Sequence, residues 1–319
     1  MRAVVIDRFG GPEVLQVKNI DRPEPGPGEL LVRVICSGTN PVDAKLCQNA
    51  SWANLTPPIV LGSDASGIVE RVGPGVTDFD PGDEVYYTPE IVGRPLGTYA
   101  EFNAVPASIV APKPPSLSHE EAAAVPLAGG TAWDGIVRRL QVQPGETVLI
   151  HGGAGGVGSF AVQFARAAGA FVIATASTAN QGVLQRLGAD VSLDYTQHEV
   201  ADAVLEHTDG RGADAVFDTA GGENISKSIR ATAPFGRLCT ILTPTASMGG
   251  LTSRNQTLHG LFLTREARRL REMSRVIEQG KVKPLVHEVL LMEEVRRAHE
   301  RLHSGHGTGK IVLRVAPAT

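Results

Sequence analysis

TVLIHGGAGGVGSFAVQFARAAGAFVIATAS, residues 147–177, decides the fold. The apolar run Thr147–Ile150 has strand length, and a glycine-rich loop follows it at 151–158. A helical stretch, Ser159–Gly169, comes next, and then a second apolar run, Phe171–Ser177. Gly153, Gly155 and Gly158 satisfy G-x-G-x-x-G, so Gly153, Ala154, Gly155, Gly156, Val157 and Gly158 form the candidate cofactor loop. Missing side chains let the backbone approach a pyrophosphate, and the helix start offers unpaired N–H groups and partial positive charge. A glycine turn without a ligand is the alternative. The loop is not a P-loop, since no Gly-Lys-Ser/Thr follows.

The end of the second strand bears on which dinucleotide fits. A site for NAD usually places Asp or Glu there, bonded to the ribose 2′-hydroxyl. Residues 174–182, ATASTANQG, contain no acid. Nothing in that stretch repels a 2′-phosphate, and Ser177, Thr178 and Asn180 offer hydrogen bonds. This favours NADPH, although no basic residue is adjacent and the nearest in sequence is Arg186.

Outward from this unit the pattern changes. Residues 1–118 are rich in Pro and Gly and contain short alternating runs such as AVVI, ELLVRVICSG, GIVERVG and DEVYY. Turn signals at PEPGPGE (23–29), GPG (73–75) and PGD (81–83) separate them, which indicates a barrel-like or rolled β domain. SHEEAAAV then offers Ser118 as a helix N-cap, with Glu121 as its capping-box partner. Apolar strands alternate with helical stretches onward: DAVFDTA (214–220), NISKSIRATA, then RLCTIL (237–242). That order implies a doubly wound parallel sheet. From about residue 264 the pattern is mixed again, with the helices REARRLREMSRVIEQG and EEVRRAHERLHSG and the strand KIVLRV (310–315). The basic face of the first of these helices reads as a solvated face. The division expected is one domain from 1–121 and 264–319 and a second from 122–263.

The chain has 319 residues, enough for two full cores; 42% are apolar and 20% charged, with a formal charge of −4. Scattered basic residues argue against nucleic acid as a partner. No apolar run reaches the length of a membrane span, and the polar N-terminus does not read as a signal peptide. Three unpatterned cysteines, Cys36, Cys47 and Cys239, suggest reduced thiols in the cytoplasm.

Specific stretches add a family resemblance: MRAVVIDRFGGPEVLQV at the start, GTNPVDAKL (38–46), LGSDASGIVERVG (61–73), GDEVYY (82–87) and GTYAEFNAVP (97–106). AAAVPLAGGTAW (122–133), the segment 142–170, LGAD (187–190) and GTGKIVLRV (307–315) continue it. Together they resemble the zinc-free quinone oxidoreductases, the zeta-crystallin-like branch of the medium-chain dehydrogenase/reductase superfamily. The resemblance implies a GroES-like β-rich catalytic domain plus a Rossmann domain, with the cofactor in the cleft between them. By the same likeness Asn40 and Asp43 approach the nicotinamide and substrate, and Thr131 touches the cofactor. Tyr195 matches a tyrosine near the 2′-phosphate, and Leu242 and Thr243 flank the nicotinamide. A homodimer is also implied.

The resemblance further implies that no metal is bound. The zinc-dependent relatives carry Cys where this chain has Asn40, and His-Glu where it has Ser63-Asp64. Asn and Ser are poor zinc ligands. The four-cysteine lobe of those relatives would fall in TPEIVGRPLG (88–97), which has no Cys. His299, His303 and His306 read as a solvated helix end. Without a metal to polarise a carbonyl, the acceptor must take hydride readily, as quinones and α,β-unsaturated carbonyls do. Family members often place a tyrosine near the substrate where this chain has Trp52, which reads as either a site residue or core. Trp52 cannot act as an acid, so water, Lys45 or a tyrosine such as Tyr99 would supply the proton. Cys47 reads as a passive thiol. The expectation is an NADPH-dependent quinone or enone reductase. The alternatives are an enoyl-type reductase of a specialised pathway and a catalytically weak NADPH-binding protein, crystallin-like or RNA-binding.

Overall fold

The computed structural model describes residues 1–305 and 307–317. The chain divides into two compact units, one of residues 1–128, 264–278 and 284–319, the other of 129–263 and 279–283.

The first unit is β-rich. Its N-terminal strands are β1 (Arg2–Ile6), β2 (Gln16–Asn19), β3 (Glu29–Gly38) and β4 (Ile59–Val60). β5 (Ala65–Val72), β6 (Glu84–Tyr87), β7 (Phe102–Pro106) and β8 (Ala111–Pro112) follow. The helices here are α1 (Pro41–Gln48) and α2 (His119–Ala123). The Ser118–Glu121 capping box forms as expected: each side chain binds the other residue's backbone N–H, at 3.2 and 3.1 Å. α3 (Pro126–Trp133) leads the chain into the second unit.

The second unit holds β9 (Thr147–His151), β10 (Phe171–Ala176), β11 (Val191–Asp194), β12 (Ala213–Asp218), β13 (Thr232–Thr240) and β14 (Thr257–Gly260). Its helices are α4 (Gly156–Ala167), α5 (Gln181–Leu187), α6 (Val200–Glu206), α7 (Asn224–Ser228) and α8 (Gly250–Ser253). The strands are all parallel, in the order β11-β10-β9-β12-β13-β14. That is the doubly wound order of a Rossmann sheet. Val148, Leu149, Ile150, Val172, Ile173, Val216 and Phe217 are fully buried, as central parallel strands covered on both faces require.

The chain then returns to the first unit through α9 (Ala267–Glu278), β15 (Val286–Leu291), α10 (Val295–Ser304) and β16 (Lys310–Arg314). β16 pairs antiparallel with β3, Val312 opposite Gly38. This closes the sheet ordered β15-β16-β3-β5-β6-β8, with β7 also on β3.

β11, α6 and β14 carry no strong sequence signal. β11 and β14 lie at opposite edges of the parallel sheet, where pairing on one side demands no continuous apolar run. Leu193 of β11 and Val204 of α6 nevertheless belong to the core. The expected helix NISKSIRATA stops at Ser228, and β13 begins five residues before Arg237, at Thr232. The side chains of Arg254 and Gln256 donate to the Thr232 carbonyl at 2.9 and 2.8 Å, so tertiary bonds replace helical ones there. Among the described residues no helix is long and apolar enough to cross a membrane.

Candidate active site

The glycine loop is built by the end of β9. Gly152, one residue before the motif, takes the left-handed conformation (φ +70°) that turns the chain. Its N–H and that of Gly153 bind Thr175 Oγ1 and O at 3.2 and 2.9 Å, tying the loop to β10. A Cβ on Gly158 would drive into the Gly152 carbonyl. Gly158 therefore lets α4 start hard against the loop. The cap residue of α4, Gly155, supplies no side-chain bond, and the first turn has no acid. The helix's ladder starts with Ser159 N–H to Gly155 O, so the N–H groups of Gly156, Val157 and Gly158 have no intrahelical acceptor. An uncapped, acid-free start of this kind fits a dinucleotide pyrophosphate.

Ser177 follows β10 and opens the turn Thr178–Asn180, where Asn180 Nδ2 donates to Ser177 Oγ at 3.4 Å. Tyr195 is half exposed, and its N–H approaches Ala176 O at 3.4 Å. The structure corrects one reading here. No acid stands within residues 174–182, but β11 brings one alongside: Asp194 lies opposite Ala176 and accepts from Thr178 Oγ1 at 2.5 Å. Thr196 N and Oγ1 donate to its other oxygen at 2.9 and 2.7 Å. With β11 unrecognised, the only signal was Asp194's place directly before Tyr195.

Thr131 is buried on α3. Leu242 and Thr243 follow β13, where Leu242 N–H binds Thr240 Oγ1 and Leu242 packs on Gly221. Asp218 braces this end by accepting from Ala220 N, Gly221 N and Thr240 Oγ1 at 3.1, 3.0 and 3.2 Å.

In the first unit, Asn40 caps α1 in a box with Asp43: Asn40 N–H donates to Asp43 Oδ2 at 2.8 Å. Asp43 also accepts from Ser63 Oγ at 2.7 Å and Tyr99 OH at 2.9 Å. Asn40 Nδ2 donates to Asp64 Oδ2 at 2.8 Å and to Ser63 Oγ at 3.2 Å. Asp64 Oδ1 accepts the Leu127 N–H at the start of α3, at 2.7 Å. The group absent from the sequence reading is Lys310. Its buried ammonium donates to Thr39 O at 2.8 Å, to Asn40 Oδ1 and to Asp64 Oδ2 at 3.3 Å. The ammonium thereby fixes the Asn40 amide, oxygen toward the cation and nitrogen toward the carboxylate. Burial pushes the Asp43 and Asp64 carboxyls each up to about 6; in Asp64, Lys310 pulls the other way.

Asp43 has no solvent exposure and three donors, so in this arrangement it positions Asn40 and Ser63 rather than facing solvent. Trp52 takes no part in the network; at 49% exposed, in the short turn Ser51–Ala53, it is not core. Lys45 points outward from α1, whereas Tyr99 is fully buried. Cys47 is buried, its thiol pushed up to about 11 by burial. His303 Nδ1 binds the His299 carbonyl at 2.8 Å and its Nε2 meets Gln48 at 2.7 Å, while His299 is wholly buried. The expected solvated end thus holds a core histidine; His306 lies outside the described residues. Among the described residues no three His, Cys, Asp or Glu side chains gather as a metal set.

Residues 26–115 match the family model of the alcohol dehydrogenase GroES-like domain, and residues 187–313 that of a zinc-binding dehydrogenase. An NADPH-dependent alkenal/one oxidoreductase of Arabidopsis thaliana is 33% identical over 99% of this chain and 80% of its own length. A quinone oxidoreductase of Pseudomonas aeruginosa is 33% identical over 96% of this chain and 97% of its own. A solved alcohol dehydrogenase superfamily protein of Novosphingobium aromaticivorans superposes with a TM-score of 0.93 at 37% identity, covering 99% and 100% of the two chains.

The chain belongs to the medium-chain dehydrogenase/reductase superfamily, in its zinc-free quinone oxidoreductase branch. It is a quinone oxidoreductase-like enzyme of that superfamily. The three positions that carry zinc ligands or their neighbour in metal-dependent members of the superfamily, Asn40, Ser63 and Asp64, are brought into one hydrogen-bonded cluster. The cation bound to that cluster is Lys310. An amide, a hydroxyl and an ammonium are a poor donor set for zinc, and the ammonium's charge opposes a second cation there.

Proposed function

We propose that this enzyme is an NADPH-dependent, zinc-independent reductase that delivers hydride to a quinone or an α,β-unsaturated carbonyl. One observation carries the reading: the Asn40–Ser63–Asp64 cluster is closed on the buried ammonium of Lys310 rather than on metal ligands. NADPH would supply the hydride. Gly153–Gly158 and the first turn of α4 would hold its pyrophosphate, with Ser177, Asn180 and Tyr195 toward the adenosine and Thr131, Leu242 and Thr243 toward the nicotinamide. Asn40, ordered by Asp43 and Lys310, would line the reaction site, and Trp52 would contact the acceptor. A site built this way lacks a Lewis acid. It suits acceptors that spread incoming charge onto oxygen, and catalysis then rests on orientation. We extend the proposal to a homodimer in the cytoplasm, the latter supported by three free, buried cysteines.

NADPH oxidation measured with 1,4-benzoquinone, 1,2-naphthoquinone and aliphatic enones tests this directly. Turnover with at least one acceptor and sub-stoichiometric zinc is expected. Measurable NADPH binding without oxidation by any of them would make the chain a binding protein instead.

A further inference from the structure

The end of β10, where a Rossmann unit recognises the adenosine ribose, carries two opposed charges that neither strand reveals alone. Asp194 comes from β11. Parallel pairing sets it opposite Ala176, and it takes the hydroxyl proton of Thr178, the residue two beyond that strand. Thr178 therefore has no proton left to offer a 2′-phosphate, although the stretch itself looked rich in donors. The Ser177 hydroxyl accepts from Asn180, while Gln181 Nε2 is bound to the carbonyls of Ala176 and Ser177 at 2.9 and 3.2 Å. On the other side, Arg186 of α5 folds back along its helix. Its Nη1 lies 3.6 Å from where a Cβ on Gly182 would stand, and it makes no ion pair among the described residues. Arg166, the other arginine of this edge, is committed to Gly188 O and Asp190 at 3.2 and 3.3 Å. The basic group whose charge acts on Asp194 itself is His198.

We propose that Asp194 and Arg186 together set the cofactor discrimination of this enzyme, with Asp194 opposing and Arg186 favouring a 2′-phosphate, so that NADPH is preferred over NADH only weakly. The proposal rests on the NADPH reading above and deepens it. A ribose 2′-hydroxyl is neutral, and the Asp194 oxygens that could accept from it are already taken by Thr178 and Thr196, so it responds little to either charge. A 2′-phosphate carries close to two negative charges and feels each of them. The two contributions are opposite in sign, and with Arg186 exposed to solvent, screening holds its contribution to a modest factor.

Calorimetric titration of the full chain with NADP⁺ and NAD⁺, and with adenosine 2′,5′-bisphosphate and 5′-AMP as the isolated halves, reads this without turnover. Wild type should bind NADP⁺ more tightly than NAD⁺ by less than about tenfold. Asp194→Asn keeps an oxygen for the Thr196 N–H and removes the charge; it should raise the NADP⁺ preference about five- to tenfold through NADP⁺ affinity alone. Arg186→Gln, at an exposed helix position, should lower it by a similar factor. NAD⁺ and 5′-AMP affinities should stay as in wild type for both variants, which also certifies that the variants fold. Unchanged selectivity in both variants, with NAD⁺ binding intact, overturns this assignment and leaves the reductase reading standing. Failure of wild type to bind either dinucleotide overturns both.

Discussion

Lys310→Met tests the centre of the first unit. Methionine keeps the length and apolar stem of lysine but removes the ammonium. Thr39 O and Asn40 Oδ1 then lose the ammonium as donor, and Asp64 Oδ2 loses one of its two donors. Removing one partner of a buried ion pair costs about 3–5 kcal/mol. Asp64 keeps the Asn40 Nδ2 and Leu127 N–H bonds, so a loss of about 3 kcal/mol near pH 8 is expected. The loss should also depend on pH. The Asp64 carboxyl is already raised to about 6 by burial, with Lys310 holding it down. Without Lys310 it rises further. A carboxyl raised in the folded state contributes stability that is full below its unfolded value and is lost as pH rises through the folded one. Each further unit of rise adds about 1.4 kcal/mol to the loss on the alkaline side. The cost of Lys310→Met should therefore be smaller near pH 5 than near pH 8 by about 1–2 kcal/mol. Urea midpoints of wild type, Lys310→Met and the double variant with Asp64→Asn measure it. The double variant should lose the pH dependence. A cost below about 1 kcal/mol, or one equal at both pH values, would refute the assignment of Lys310 as the cation of this cluster.

His299 is buried with both ring nitrogens unpaired, and burial lowers its pKa to about 4. A depressed histidine contributes stability that is full above its ordinary value near 6.5 and is lost as pH falls through about 4, so His299→Phe should flatten the acid side of a urea-midpoint profile. Asp43, raised to about 6, acts in the opposite sense over the same range, and its contribution remains in that variant. Gly158→Ala should weaken NADP⁺ binding at least about tenfold in a fluorescence titration, since the added methyl meets the backbone of Gly152; wild-type affinity would refute the tight loop. Trp52→Ala should change stability by less than about 1 kcal/mol at its half-exposed site, yet raise the KM for the acceptor without altering NADP⁺ affinity. An unchanged KM would remove Trp52 from the site.

The features legible in the residues alone are local ones. The strand, glycine loop, helix and second strand at 147–177 follow one another without interruption, and each is marked by its own local pattern. The Ser118–Glu121 box forms for the same reason, and Asn40 with Asp43 forms a second such box three residues apart. Only the family resemblance links Asn40, Ser63 and Asp64; no periodicity joins them. Lys310 was silent because a lysine opening KIVLRV has the look of a solvated strand end. It becomes a buried cation only because β16 pairs with β3, which carries it to Asn40 across 270 positions. Asp194 is silent likewise, because a four-residue edge strand has almost no pattern, and its meaning depends on parallel register with β10. Tertiary structure decided both charges because a buried or paired charge is defined by what surrounds it. Sheet pairing, not sequence proximity, chose those surroundings.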